Sequence, residues 1–164
     1  MLYNYNIFPI ERNGKGETMD LEFEVFGKIA KPVSDVFDAV YNPKKLSGYF
    51  TTGGASAPLD EGATVTWDFH DYPGAFPVHV RKVERDRLIE LEWKANDGDY
   101  NTRVRMEFEP LDARSTMVRI RESGWRETPD GLKSSYGNCM GWTQMLCCMK
   151  VYVEHGINLR AFFF

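Results

Sequence analysis

The longest helical pattern in the chain lies near its C-terminus and follows several short segments of alternating polarity. No proline occurs between Leu132 and His155, and Gly156 supplies a C-terminal stop. At 1.5 Å per residue this helix would be about 36 Å long. Its apolar side chains recur three or four residues apart, at Leu132, Tyr136, Cys139, Trp142, Leu146, Met149 and Val153. Such a helix is long enough to cover one face of a sheet, which constrains the fold strongly.

The segments before this helix have the two-residue period of half-buried strands. In chain order they span residues 21–29, 64–70, 76–81, 89–94, 103–109 and 117–121. Turn sequences separate the last five, as in the DYPG of 71–74 and the NDGD of 96–99. Sequential strands joined by short turns form an antiparallel meander, and its apolar face needs a cover.

The period changes after the first strand. Val33, Val36, Phe37 and Val40 follow helical spacing behind Pro32, and the Asn-Pro pair at 42–43 ends this helix. Residues 44–50 predict a second short helix. The expected fold is therefore α+β of the helix-grip type: a curved antiparallel sheet wrapped around a long C-terminal helix, with two short helices after the first strand. We expect an N-terminal extension over 1–20, one domain over 21–156 and a tail over 157–164.

Composition excludes several classes of function. The chain has 164 residues and a formal net charge of −4, which argues against a nucleic-acid partner. We see neither an apolar run that would span a membrane nor a secretion signal, and we expect a cytoplasmic protein. The three cysteines, Cys139, Cys147 and Cys148, predict no disulfide framework. No pattern indicates a metal site or a cofactor, since His70 and His79 share no ligand spacing with the other residues of metal-binding type.

The sequence resembles a known family in several places. The matching stretches are FEV at 23–25, PVSDVFDAV at 32–40, NPKKL at 42–46, YF at 49–50, ESGW at 122–125 and GWTQML at 141–146. They are similar to single-domain proteins related to the C-terminal domain of the activator of the heat-shock-protein-90 ATPase, in the START-like (SRPBCC) superfamily. The resemblance covers about residues 21–156. It implies a helix-grip fold with a cavity between the sheet and the C-terminal helix, and it implies no fixed catalytic set.

The inward-facing residues predict the wall of that cavity, because large aromatic and methionine side chains suit an adaptable apolar pocket. The expected pocket residues are Trp67, Phe69, Trp93, Met106 and Phe108 from the sheet and Trp142, Met145, Leu146 and Met149 from the helix, with Arg105, Glu122 and Tyr136 as polar contacts. The same side chains could instead fill a solid core. The first functional hypothesis is binding of a small hydrophobic or amphipathic ligand. A cyclase- or hydrolase-type enzyme and a co-chaperone-like interaction module are the alternatives.

Glu122 is the candidate for catalysis, because alternation with Val118 and Ile120 directs it inward. A carboxylate in an apolar pocket could act as a general base with a raised pKa. The competing interpretation is a residue at the strand end that is either solvated or paired with Arg126 or Arg103.

Two further patterns concern surfaces. Cross-strand ion pairing is expected on the outer face of the sheet, between Arg103, Arg105, Arg119 and Arg121 and Glu90, Glu92, Glu107 and Glu109. Arg105 is therefore predicted both as a polar contact of the pocket and as an ion-pairing residue of the outer face. The apolar N-terminal arm and the three phenylalanines of 162–164 predict a homodimer, unless they dock on the chain's own surface.

Overall fold

A seven-stranded antiparallel sheet curves around one long helix in the computed structural model, which describes residues 20–162. The strands are β1 (Leu21–Ile29), β2 (Gly54–Ala55), β3 (Thr64–Phe69), β4 (Tyr72–Glu84), β5 (Leu88–Lys94), β6 (Asn101–Asp112) and β7 (Ser115–Trp125). The helices are α1 (Val33–Tyr41), α2 (Pro43–Leu46) and α3 (Pro129–His155), followed by a 3₁₀ turn over Leu159–Phe162. The predicted α+β helix-grip class is confirmed, including the two short helices after the first strand.

The strand order in the sheet is β1-β7-β6-β5-β4-β3-β2. Strands β3 to β7 form the predicted meander, and β1 returns to pair with β7, with Val25 opposite Ile120. Helix α3 packs against β1 and β7, and α1 packs against β6 and β7. The two edges of the sheet are therefore unequal: α3 lies close to the β1 edge, whereas the β3–β4 hairpin stands at the other side.

The register separates an apolar inner face from a charged outer face. Along β5 and β6, Leu91 lies opposite Val104, and Glu90 lies opposite Arg105. Arg103 binds Glu92 across these strands at 3.4 Å, and Arg105 binds Glu90, as expected. Arg121 instead binds Glu24 of β1, which was not among the expected partners, at 3.0 Å. The predicted cross-strand ion pairing is therefore confirmed, although such exposed pairs stabilise a fold by about 1 kcal/mol or less each.

Helix α3 begins three residues before the predicted start. The Thr128 hydroxyl oxygen accepts a hydrogen bond from the Gly131 backbone N–H at 3.0 Å, and Pro129 occupies the first turn. The helix ends at Gly156, whose φ of 72° is left-handed, as the stop signal predicted. Tyr136 was placed on the apolar face of the helix but is 66% exposed. The buried stripe runs through Ser135 instead, and the next residue points about 100° away from it.

Some predictions fall where the structure gives no description. Residues 1–19, which carry most of the predicted extension, and residues 163–164 of the tail lie outside the described residues. Within residues 20–162, no helix combines the length and the apolar character that crossing a bilayer requires.

Candidate functional site

An open groove of about 890 Å³ runs between the first half of α3 and the end of the sheet formed by β3, β4 and β5. Its apolar wall is largely aromatic. The aromatic side chains that line it are Phe50, Phe69, Tyr72, Phe76, Trp93 and Trp142. They come from the segment after α2, from the β3–β4 hairpin, from β5 and from α3, so the groove forms only in the folded domain.

The deep wall of the groove is a stack of three rings. The indole of Trp142 lies between the Trp93 indole, at a centroid distance of 5.2 Å, and the Phe50 ring, at 5.5 Å. Both pairs are close to parallel, with interplanar angles of 21° and 28°. Phe76 meets Trp93 edge-on at 5.8 Å. Offset stacks and edge-to-face contacts of this kind each add stabilisation beyond burial, which makes the wall rigid.

Glu122 lies behind this wall and is 0% exposed. Its Oε1 accepts hydrogen bonds from the Trp93 indole N–H at 2.9 Å, the Thr102 hydroxyl at 2.6 Å and the Asn138 amide at 3.0 Å. Its Oε2 accepts from the Trp142 indole N–H at 2.8 Å and from the same amide at 3.1 Å. One carboxylate therefore orients both tryptophans of the wall and the asparagine on α3.

All four hydrogen-bonding partners of Glu122 are neutral side chains. The expected pairing with Arg126 or Arg103 is wrong, because Arg126 stacks on Tyr100 and Arg103 binds Glu92 on the outer face. Burial raises the pKa of Glu122, and the hydrogen bonds from Thr102 and the two indoles oppose that rise. Both carboxylate oxygens accept hydrogen bonds from side chains that build the wall of the groove.

Two glycines of α3 face the groove. A Cβ placed on Gly137 or on Gly141 would meet no described atom within 4 Å. Gly48, by contrast, has a packing reason, since a Cβ there would lie 2.6 Å from the Tyr152 ring. Glycine in a helix interior costs about 1 kcal/mol relative to alanine. At 137 and 141 no steric contact in the described part of the chain explains that cost.

The rim of the groove carries charges of both signs. The acidic and basic residues are Asp71, Asp97, Asp130, Lys94, Lys133 and Arg160. Arg160, on the terminal 3₁₀ turn, binds Asp71 at 2.6 Å and lies over the Phe69 ring at 5.5 Å. The described part of the tail therefore docks on the chain's own surface, at one end of the groove.

Comparison with known proteins places the chain in a family. The family model for "Activator of Hsp90 ATPase homolog 1-like protein" (AHSA1) matches residues 30–154. The chain belongs to this family. The match runs from the end of β1 almost to the end of α3, so it includes the four side chains that hydrogen-bond Glu122 and all of the groove except Arg160. No functionally curated protein matches this AHSA1-like chain.

Solved structures share the AHSA1-like fold. A protein from Staphylococcus saprophyticus is 27% identical, with a TM-score of 0.72, and the match covers 85% of this chain and 96% of that one. The Aha1 dimer from Colwellia psychrerythraea is 20% identical, with a TM-score of 0.69 and coverage of 83% and 98%. DynU16, a protein in the dynemicin biosynthetic locus, is 22% identical, with a TM-score of 0.71 and coverage of 82% and 48%. The last two likenesses show the fold alone.

The expected pocket residues of this AHSA1-like domain divide into three groups. Phe69, Trp93 and Trp142 line the groove, and Glu122 lies directly behind them. Six others are buried in the packed core: Trp67, Met106, Phe108, Met145, Leu146 and Met149.

Arg105 and Tyr136 are not among the residues that line the groove. Arg105 alternates with the buried Val104 and Met106, so it points to the outer face and binds Glu90 and Glu107. Arg105 therefore faces away from the predicted pocket, whereas Tyr136 is exposed on α3.

Sequence reasoning missed the residues of α3 that border the groove. Asn138 lies one turn before Trp142, and this spacing could have placed it on the same inward face. Gly137 and Gly141 carried a clearer signal, because glycines inside a long helix call for an explanation. Within residues 20–162, no group of three histidine, cysteine or acidic residues is placed to hold a metal ion. Cys148 is buried, Cys139 is half-buried and Cys147 is exposed.

Proposed function

We propose that this AHSA1-like protein binds a small, predominantly apolar molecule in the groove between α3 and the β3–β5 end of the sheet. The observation that carries the proposal is the groove itself, about 890 Å³ in volume and walled by aromatic side chains. Binding sites for small molecules are typically concave, mostly apolar and about 300–1,000 Å³ in size, with a few placed polar groups. The groove matches each of these properties.

The glycines of α3 support the same proposal. Any larger side chain at 137 or 141 would project into the space of the groove. Because glycine weakens the helix, keeping both positions small favours an open groove over a more stable α3. A helix with a purely structural part would gain stability from alanine at these positions.

The aromatic wall supports binding without large rearrangement. Glu122 holds the Trp93 and Trp142 indoles through their N–H groups, so the rings have their orientation before any ligand arrives. A pre-organised wall loses little conformational entropy on binding, and this raises affinity. Trp93 is 9% exposed and Trp142 is 2% exposed, so the ligand would make most of its apolar contacts with the more accessible Phe69, Tyr72 and Phe76.

The experiment that tests the proposal is native mass spectrometry of the purified protein, followed by denaturing extraction of any bound molecule. The matched control is Gly141→Phe, which fills the groove from α3 and leaves its wall unchanged. We expect a molecule of defined mass on the wild-type protein and its loss from the variant. Equal retention by both proteins would place the ligand elsewhere and contradict the proposal.

The structure offers less support for the other two hypotheses, an enzyme and a co-chaperone-like module. The enzyme hypothesis relied on Glu122, whose two oxygens are fully engaged by neutral donors. The co-chaperone hypothesis has the family's name in its favour, and a pull-down with the chaperone tests it.

The homodimer and the cytoplasmic location stay predictions. The structure of the Aha1 relative from Colwellia psychrerythraea is that of a dimer, which gives the homodimer a precedent within the fold.

A further inference from the structure

Around Glu122 the hydrogen-bond donors are all in use, and this limits the class of ligand if the groove binds one as proposed above. Four side chains around Glu122 carry hydrogen-bond donors, and all of them donate to it: Trp93, Thr102, Asn138 and Trp142. An indole N–H has a single proton, so neither tryptophan has a second one to offer to a ligand. The wall next to the carboxylate therefore has its donors already in use.

Asn138 is the polar group of this wall that also lines the groove. Its amide nitrogen donates to both oxygens of Glu122, at 3.0 and 3.1 Å. A carboxylate only accepts hydrogen bonds, so the NH₂ side of the amide must face it. The amide oxygen, Oδ1, is therefore turned away from Glu122, and within residues 20–162 nothing donates to it. Because Asn138 lines the groove, Oδ1 is the atom through which it can accept a hydrogen bond from a ligand.

The balance of charge points in the same direction. The rim carries three acidic and three basic residues, which cancel formally. Arg160 is bound to Asp71, and Lys94 is bound to Asp99 outside the groove. Lys133 at the rim forms no ion pair with a described residue, so the rim itself is mixed in charge. Glu122 adds a negative charge behind the wall, and no lysine or arginine of the described residues forms an ion pair with it. Its field is weakly screened because the carboxylate is fully buried. The deep end of the groove is therefore electronegative.

We infer that the groove selects an apolar or aromatic molecule bearing a protonated amine, whose N–H donates to Asn138 Oδ1 while its charge is attracted by the buried Glu122. The Asn138 amide would lie between the ligand's amine and the carboxylate, so Glu122 attracts the charge of the amine across this amide. An anionic ligand would meet both an acceptor and a like charge at the same place.

Three probes of matched shape test the inference: 1-naphthylmethylamine, 1-naphthalenemethanol and 1-naphthoate, titrated near neutral pH by isothermal calorimetry. The neutral alcohol reports whether the groove binds an aromatic molecule at all. We expect the amine to bind about tenfold or more tightly than the carboxylate, with the alcohol between them. Equal or tighter binding of the carboxylate would overturn the inference and leave groove binding standing. Failure of all three to bind would overturn the inference together with the proposed function.

Two variants separate the acceptor from general effects on the groove. Asn138→Leu removes the amide, leaves Glu122 its contacts with the indoles, and should reduce the preference for the amine over the alcohol to about twofold or less. Gln144→Leu is the control, because Gln144 is an amide on the same helix that lines the groove without a hydrogen bond to Glu122. It should keep the full preference. If Asn138→Leu binds the alcohol as the wild type does and still prefers the amine, the inference is wrong.

Discussion

Replacing the two groove-facing glycines of α3 should stabilise the protein and impair its binding site. Each Gly→Ala change in a helix interior is worth about 0.8–1.0 kcal/mol when the new methyl group meets nothing. Neither Gly137 nor Gly141 has a described atom within 4 Å of an added Cβ. The double alanine variant should therefore gain about 2 kcal/mol in the free energy of unfolding. For a chain of this size, that is a rise in melting temperature of about 4–8 °C.

The assay is urea unfolding followed by circular dichroism, with calorimetry for the melting temperature. Gly48→Ala is the matched control, since its Cβ would lie 2.6 Å from the Tyr152 ring and should destabilise the fold. A larger residue, as in Gly141→Leu, should keep the gain in stability and weaken binding of 1-naphthalenemethanol. If alanine at 137 and 141 lowers the stability, the fold itself requires these glycines, and they no longer support the proposal of an open groove.

Three other perturbations probe the domain. Burial raises the folded-state pKa of Glu122, so the folded state holds the proton more tightly than the unfolded chain does. The free energy of unfolding of the wild type, minus that of Glu122→Gln, should therefore rise as the pH falls from neutral towards the ordinary carboxyl range. A fall in this difference, measured by urea titration, would show that the hydrogen bonds outweigh burial. Thr128→Ala should cost about 1 kcal/mol by loss of the α3 cap, and urea unfolding showing no change would contradict the cap's role. A chain ending at Gly156 loses the Arg160–Asp71 contact, so it should bind 1-naphthalenemethanol with a faster association rate in stopped-flow fluorescence; an unchanged rate would mean that the tail does not limit access.

The fold could be predicted largely from local periodicity. Alternation located the strands, and three- and four-residue spacing located α1 and α3, because burial on one face leaves this pattern in any amphipathic element. The pairing of β1 with β7 left no such local sign, since it depends on contacts about a hundred residues apart. The start of α3 was misplaced although its signal was present: Thr128 is a favourable cap and Pro129 a favourable first helical residue.

The sequence predicted which side chains of the site face inward, but not which of them border the groove. Alternation correctly turned Trp93, Phe69 and Glu122 inward, and helical spacing did the same for Trp142. Whether an inward residue borders a groove or fills the core depends on where α3 approaches the sheet, which is a tertiary property. Met106 and Trp93 both belong to the buried core, yet only Trp93 also lines the groove.

The hydrogen-bond partners of Glu122 could not be predicted from the neighbouring sequence either. Nearby arginines in the sequence suggested an ion pair, but alternation places Arg103 on the outer face, and Arg126, beyond the end of β7, stacks on Tyr100. The donors that the carboxylate found instead come from β5, β6 and α3, which only the folded domain brings together.

The location of a bound probe tests the central claim most directly. We would titrate ¹⁵N-labelled protein with 1-naphthalenemethanol and follow the backbone amides of α3 together with the indole N–H signals of the tryptophans. The account predicts that the shifts concentrate at Gly137, Gly141, Trp93 and Trp142, and that Trp125, which does not line the groove, stays unchanged. Shifts confined to other surfaces, or none at saturating probe, would contradict the assignment of this groove as the binding site.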